Sequence, residues 1–293
     1  MTKRAIMYLL TGPSHLMNAA VSMRSLRRHW TDDVLLYAWP ESYDIAAKIC
    51  YDPAIQAMPV PCDAIYRKRN AQEMAKIAYI QNIEFYDEIA YLDADTLIAK
   101  PLNGLFDAIA ASPTQFVATQ FCDWQMNSIA QTRIKRLRGI PGISQTHVEL
   151  SLRPDQPSYN SGIFACSPDS PVLPVWGDWT EKAKEVFISG EATLHPIAQK
   201  FPIVTLLNGV YNCSPQSKYQ SPTLQDSDVA IWHFHGDCNV RPNKSSRGVR
   251  MWWPEFEATM QENVGGIRDW VHDLPNRFLV ELLEKSKQGL TVV

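Results

Sequence analysis

Ile89-Ala-Tyr-Leu-Asp-Ala-Asp-Thr96 is the stretch of sequence that decides the fold. Its first four residues form a short apolar run, which predicts a strand buried on both faces, as in a parallel α/β sheet. Asp93 and Asp95 follow at the carboxyl end of this strand, the edge where open α/β sheets bind their ligands. Side chains at positions i and i+2 of an extended chain point the same way, so the spacing predicts that the two carboxylates share one point in space.

Two carboxylates held together repel each other unless a cation lies between them. A hard divalent ion such as Mg²⁺ or Mn²⁺ prefers oxygen ligands, and a bound phosphate supplies some of them. Asp-x-Asp is a short pattern that also occurs by chance at solvated strand ends. The interpretation as a metal site therefore depends on the rest of the chain.

The composition is that of an ordinary soluble globular protein. The 293 residues are 45% hydrophobic and carry a formal net charge of −3, which argues against a general nucleic-acid-binding role. The six cysteines form no Cys-x-x-Cys pair, so neither a zinc pattern nor a secreted disulfide framework is indicated. The apolar run Ala5–Leu10 is shorter than that of a signal peptide, and no segment is long enough to span a membrane. We therefore expect a cytoplasmic protein without a transmembrane segment.

Strands and helices alternate along the first hundred residues. A helix capped by Ser14 follows the first strand, and a helix whose start at Asn70 and Glu73 resembles a capping box precedes the Asp-x-Asp strand. This order is typical of nucleotide-binding α/β folds, although there is neither a Gly-x-Gly-x-x-Gly fingerprint nor a P-loop. The strands predicted before Ile89 are Ala5–Leu10, Val34–Trp39 and Ile55–Val60.

Residues 125–158 differ in character, because they hold a basic run, Arg133-Ile-Lys-Arg-Leu-Arg138, and several glycines and prolines. A charge run is most often a solvated helix face, and we favour that interpretation. The alternative is a mobile lid or an acceptor-facing segment, since long irregular loops in compact domains are often functional.

Four separated features agree in order and kind with one known family. They are Thr11-Gly12, Tyr91-Leu-Asp-Ala-Asp-Thr96, Tyr159-Asn-Ser-Gly-Ile-Phe164, and His233-Phe-His-Gly236 followed by Arg241-Pro242. Together they resemble the glycogenin-like family 8 of retaining glycosyltransferases. The resemblance implies the GT-A fold, which is an α/β fold with a Rossmann-like mixed central sheet flanked by helices. It predicts a catalytic domain at 1–245, with a nucleotide-sugar half at about 1–125 and an acceptor-side half at about 126–245, and a C-terminal helical extension at 246–293.

The resemblance also implies a reaction. A sugar passes from a nucleoside diphosphate sugar, usually UDP-linked, to an acceptor hydroxyl, with retention and with Mn²⁺ (or Mg²⁺) bridging the diphosphate. Carried over, Asp93 and Asp95 are metal ligands together with a late histidine. The pattern His-aromatic-x-Gly selects His233, whereas the spacing to Arg241 selects His235, and we favour His233. The acceptor stays open among a glycan, a lipid head group, a protein and a nucleic acid.

Other positions match residues that bind the donor in the family. Lys76 stands where members often carry a cation that contacts donor phosphate or sugar, although a solvated helix lysine is the alternative. Asn160 and Gly162 match a motif that binds the donor sugar and permits close backbone approach, although a plain turn is the alternative. Asp123 and Glu191 are the catalytic candidates. The predicted nucleotide-sugar-binding residues are Thr11, Lys76, Ala94, Asn160, Gly162, Gly236, Arg241 and Lys244.

Two departures from the family pattern keep other functions open. Arg241 replaces a lysine, which is chemically tolerable because an arginine binds a diphosphate bidentately. Glu191-Ala192 stands where the family has Asp-Gln, so a catalytically inactive nucleotide-sugar-binding protein is an alternative. A phosphatase of the haloacid dehalogenase type also uses Asp-x-Asp after a buried strand, but it needs Thr or Val where Leu97 stands.

Overall fold

A computed structural model describes residues 2–10, 13–38, 43–44, 46–47, 55–59, 71–215, 224–234 and 247–269. The strands are β1 (Arg4–Leu10), β2 (Asp33–Ala38), β3 (Ile55–Pro59), β4 (Glu88–Leu92), β5 (Thr96–Ile98), β6 (Phe116–Gln125), β7 (Pro157–Cys166), β8 (Val204–Leu206) and β9 (Ile231–His233). The α-helices are α1 (Pro13–Leu26), α2 (Ala71–Gln81), α3 (Asn103–Ala111), α4 (Ser128–Lys135), α5 (Gln145–Ser151), α6 (Val172–Lys182), α7 (Ser189–Lys200) and α8 (Arg247–Glu262).

A mixed seven-stranded sheet forms the centre of the molecule, in the order β3-β2-β1-β4-β7-β6-β8. Strands β1 to β4 are parallel, as the alternation of strands and helices predicts, whereas β7 runs antiparallel to both β4 and β6. The start of β7 therefore lies beside the carboxyl end of β4. A second, two-stranded sheet pairs β5 with β9 in antiparallel orientation.

Both faces of the central sheet are covered, because alternate residues of its strands are apolar on each side. Along β4, Ile89 and Tyr91 pack in one core with helices α2 and α4 to α7. Ala90 and Leu92 pack in the opposite core with α1, α3 and α8. The prediction of a strand buried on both faces is thus confirmed, and the molecule is a three-layer α/β structure.

Helix α8 belongs to the same packed structure as the sheet. Trp252 and Phe256 are buried in the core that α1 also lines. Glu255 accepts hydrogen bonds from Arg24 of α1 and from Arg28 in the turn that follows it. The predicted division at residue 245 stays a prediction. Within the described ranges, no helix combines the length and the apolar character needed to cross a bilayer.

Most of the elements that local sequence patterns predict are present in the structure. The strands predicted near residues 5, 34, 55 and 89 and the helix after Ser14 are present. Residues 125–158 contain the short helices α4 and α5, and the basic run begins inside α4, as the favoured interpretation of a helix face predicts. Asn127 caps α4, since its side-chain oxygen accepts from the backbone N–H groups of Ile129 and Ala130. This asparagine was a helix-start signal in the sequence that our prediction missed.

A cluster of aromatic rings holds β4, β6 and β7 against α6. The Phe164 ring stacks on Tyr91 and on Phe116 with centroid distances of 5.2 and 5.7 Å. It also meets Trp176 edge-on at 5.1 Å. Phe164 is completely buried.

We predict that Phe164→Ala lowers the free energy of unfolding by about 3–5 kcal/mol, because it leaves a cavity among these rings. Phe85→Ala serves as the control, since Phe85 is 76% exposed, and should change it by less than about 0.5 kcal/mol. Urea denaturation of both variants measures the difference, and equal effects would show that the ring cluster contributes no special stability.

Candidate metal and substrate site

The two aspartates converge because the chain turns after β4. Asp93 leaves the strand with its backbone N–H donating to the Gly162 carbonyl at 2.7 Å. Ala94 and Asp95 form a turn before β5 begins at Thr96. The prediction that an extended chain aligns the carboxylates is therefore corrected: a tight turn brings them together.

A buried chain of hydroxyl groups fixes this turn. The Thr96 hydroxyl donates to the Asp93 carbonyl at 2.9 Å, so it accepts from Ser22 at 2.8 Å. Ser22 in turn accepts from Tyr8 at 2.9 Å. These three residues lie on β1, α1 and β5, so the turn is held by the core beneath it.

His233 reaches the aspartates through the small sheet. β5 and β9 pair with Thr96 opposite His233, and the Phe234 N–H donates to the Asp95 carbonyl at 2.9 Å. The His233 Nε2 atom lies 3.3 Å from Asp95 Oδ1 and 3.6 Å from Asp93 Oδ2. The structure thus brings the favoured histidine to the two carboxylates, whereas the alternate, His235, lies outside the described residues.

The charges of this group influence one another. Burial alone would lower the pKa of His233, but attraction and hydrogen bonding to Asp95, with further attraction to Asp93, raise it above its ordinary value. Burial also raises the pKa of Tyr91, so this phenol stays protonated and donates to Asp93 Oδ1 at 2.8 Å. Asp93 and Asp95 therefore stabilise positive charge on the neighbouring imidazole.

This group of donor atoms fits a divalent cation. One atom from each of Asp93, Asp95 and His233 lies within 4.8 Å of the others. Two carboxylate oxygens and one imidazole nitrogen suit Mn²⁺ or Mg²⁺. Gly162 keeps the space beside them open, since a Cβ atom there would overlap Asp93 Oδ2 and His233 Cε1.

A cleft of about 450 Å³ opens above these three residues. One of its walls is a polar network in which Asn160 Nδ2 donates to Glu191 Oε2 at 2.7 Å. Arg133 forms an ion pair with Glu191 Oε1. Burial raises the pKa of Glu191, against the opposing attraction of Arg133 and the hydrogen bond from Asn160. The apolar side chains that line the cleft are Phe121, Trp124, Ile129, Ala130, Phe187 and Ile188.

Lys76 lies beneath the cleft and is only 2% exposed. Its ammonium group donates to the Ser161 carbonyl at 2.8 Å and to Glu73 at 3.3 Å. Glu73 also accepts from the Ser161 hydroxyl at 3.0 Å. Lys76 is therefore not a solvated helix lysine, and its described contacts fix β7 at Ser161.

The remaining predicted residues divide into two groups. Ala94 is buried in the turn, and Asn160, Gly162 and Glu191 lie at the cleft. Asp123 belongs to β6, but its side chain is not described. Outside the described residues lie Thr11, Gly236, Arg241 and Lys244.

Sequence reasoning missed the part that Arg133 plays. Lys135 and Arg136 are exposed, as a solvated helix face requires, but Arg133 turns into the cleft and its guanidinium lies 5.7 Å from the Phe187 ring. The helical spacing of the basic run was the available signal, because successive side chains of a helix point about 100° apart, so Arg133 faces a different direction from Lys135 and Arg136.

The comparisons with solved structures identify the fold. A galactosyltransferase, LgtC, in complex with donor and acceptor sugar analogues superposes with a TM-score of 0.59 at 12% identity, over 87% of this chain and 95% of its own. The chain has the GT-A glycosyltransferase fold. Mouse xyloside xylosyltransferase 1 matches with a TM-score of 0.54 at 14% identity, over 82% of this chain and 99% of its own.

A third structural neighbour is the bifunctional glycosyltransferase WbbM, with a TM-score of 0.53 at 14% identity over 80% of this chain and 46% of its own. No protein-family model matches the sequence, and no curated protein matches it. The predicted fold class is confirmed by the structural likeness.

We predict that Gly162→Ala weakens divalent-ion binding at Asp93, Asp95 and His233, with Mn²⁺ as the probe, because the added methyl group displaces Asp93 or His233. Gly177→Ala is the matched control, since a Cβ atom there makes only ordinary contact with Ile77 at 3.4 Å. Isothermal titration of Mn²⁺ into both variants measures the effect. Equal affinities would contradict the account of the open space at Gly162.

A second prediction concerns His195, which lies under the cleft wall. It is buried and neutral, with Nδ1–H donating to the Glu191 carbonyl at 2.9 Å and Nε2 accepting from the Tyr159 N–H at 3.1 Å. Burial lowers its pKa from 6.5 to about 4. The unfolded chain therefore binds the extra proton first, and stability falls as the pH falls from 6.5 towards 4.

The expected loss from this residue is about 3 kcal/mol across that interval. Urea denaturation of wild type and His195→Gln at several pH values tests it, because the stability advantage of the wild type should shrink as the pH falls. An advantage independent of pH would show that His195 does not titrate in this way.

Proposed function

We propose that this protein is a metal-dependent glycosyltransferase that moves a sugar from a nucleoside diphosphate sugar, most often UDP-linked, to an acceptor hydroxyl with retention. The observation that carries the proposal is the convergence of Asp93, Asp95 and His233 at the cleft of a GT-A fold. These residues would hold Mn²⁺ or Mg²⁺. Bound there, the ion would neutralise the charge that develops on the departing diphosphate.

The chain's own residues would orient the donor sugar. The Asn160 amide is held by Glu191 and by the Gly162 N–H, which donates to its oxygen at 2.9 Å. We propose that the sugar lies over this motif and that Glu191 faces its anomeric carbon. The Arg133 and Asn160 donors favour the ionised carboxylate, which stabilises positive charge on the sugar in the transition state.

The proposed reaction balances without a further reactant. The bond between the anomeric carbon and the diphosphate oxygen breaks, and a bond from the acceptor oxygen to the same carbon forms. The acceptor's proton passes to the departing diphosphate. In this proposal the diphosphate and the nucleoside are contacted by Arg241, Lys244, Gly236 and Thr11. Asp123 contacts hydroxyl groups of the sugar. Residues 126–245 face the acceptor.

The alternative of an inactive nucleotide-sugar-binding protein rests on Glu191-Ala192. Glu191 lies in the cleft and pairs with Arg133. This position favours the enzyme, because it places a carboxylate where positive charge would develop on the donor sugar. A phosphatase of the haloacid dehalogenase type is disfavoured by the likeness to glycosyltransferases.

We predict that the wild-type protein with Mn²⁺ slowly releases UDP from one member of a panel of UDP-sugars in the absence of acceptor. Asp95→Ala should reduce this release by about 100-fold or more, since a metal ion contributes several kcal/mol to such a step. Asp155→Ala is the control, because the Asp155 side chain is 62% exposed and does not line the cleft.

Metal-dependent binding of a UDP-sugar without any release would favour the inactive binder. If the wild type neither binds nor cleaves any nucleotide sugar, the transferase proposal is wrong.

A further inference from the structure

The buried side chain of Asn212 contacts the metal-site histidine from the side opposite the aspartates. The His233 Nδ1 atom lies 3.0 Å from Asn212 Oδ1, while Nε2 faces Asp93 and Asp95. Asn212 is completely buried and His233 is 2% exposed. The imidazole is therefore held between an amide and two carboxylates.

The direction of these hydrogen bonds is fixed by a backbone carbonyl, which can only accept. The Thr119 hydroxyl donates to the Ile163 carbonyl at 2.7 Å. Having spent its only proton, Thr119 accepts from Asn212 Nδ2 at 2.9 Å. The amide oxygen of Asn212 must then face His233, so Nδ1 carries the proton. The Nε2 lone pair of the neutral ring consequently points toward the aspartates.

The backbone of Asn212 is also held firmly. Its N–H donates to the Gly209 carbonyl at 3.1 Å, and its carbonyl accepts from the Cys122 N–H at 2.9 Å. A Cβ atom on Gly209 would collide with the Cys122 backbone, and the φ of +67° at Gly209 also favours glycine. The amide thus sits on a rigid support.

We propose that Asn212 is a positioning residue that sets the tautomer and the ring orientation of His233 for metal binding. This inference rests on the proposed metal site, and it assigns a role to a residue that the sequence motifs did not indicate. Hydrogen-bond partners of ligating histidines typically contribute 10–100-fold in metal affinity.

Mn²⁺ affinity, measured by electron paramagnetic resonance of the free ion at one fixed alkaline pH, tests the proposal. Asn212→Leu should weaken binding by about 10–100-fold. Asn212→Asp should restore it to within a few-fold of wild type, because a carboxylate oxygen still accepts from Nδ1–H. Ser112→Ala is the control, since it removes a buried hydroxyl that donates to the Phe116 carbonyl far from the site.

Thr119→Val provides a second test should Asn212→Leu fail to fold. It removes the group that orients the Asn212 amide and should also weaken Mn²⁺ binding without touching a ligand. If Asn212→Leu folds and binds Mn²⁺ with wild-type affinity, the inference is wrong and the metal site stands. If Asn212→Leu does not fold, wild-type affinity in Thr119→Val has the same meaning. A wild-type protein that binds no divalent ion would overturn the metal site and this inference with it.

Discussion

The pairing of Thr96 with His233 is the contact on which the site depends. It joins a turn at residues 93–95 to a strand end far along the chain. Without it, Asp93 and Asp95 are two carboxylates at a strand end that repel each other and offer only oxygen donors. With it, the imidazole nitrogen of His233 lies beside them, and the three side chains offer the mixed donor set that suits a transition-metal ion such as Mn²⁺.

The packing around the site explains why this contact is stable. The turn is supported by hydroxyl groups from three elements, and β7 is fixed beneath it by Lys76 and Glu73. Buried polar groups are costly unless each finds a partner, so such a network specifies one arrangement of the backbone. The buried charges of Lys76 and Glu73 hold β7 in place beneath the turn, and the cleft residues lie above these two elements.

Local sequence patterns predicted the parts of the fold that depend on neighbouring residues. The apolar run before Asp93 indicated a strand buried on both faces. Ser14 indicated the helix α1, but not as its cap, because the helix already begins at Pro13. The family resemblance offered His233 and His235, and the favoured residue, His233, lies beside the two carboxylates. The ion pair of Arg133 with Glu191 and the amide of Asn212 behind His233 could not be predicted, because they join segments whose approach is set by tertiary packing alone.

The central claim is that the turn after β4 and the end of β9 together form a divalent-ion site. A crystal structure of the protein with Mn²⁺ and UDP, with anomalous diffraction data for manganese, tests it most directly. We expect one manganese peak at coordinating distance, about 2.0–2.3 Å, from oxygens of Asp93 and Asp95 and from Nε2 of His233. A peak elsewhere, or an ion held without His233, would contradict the account.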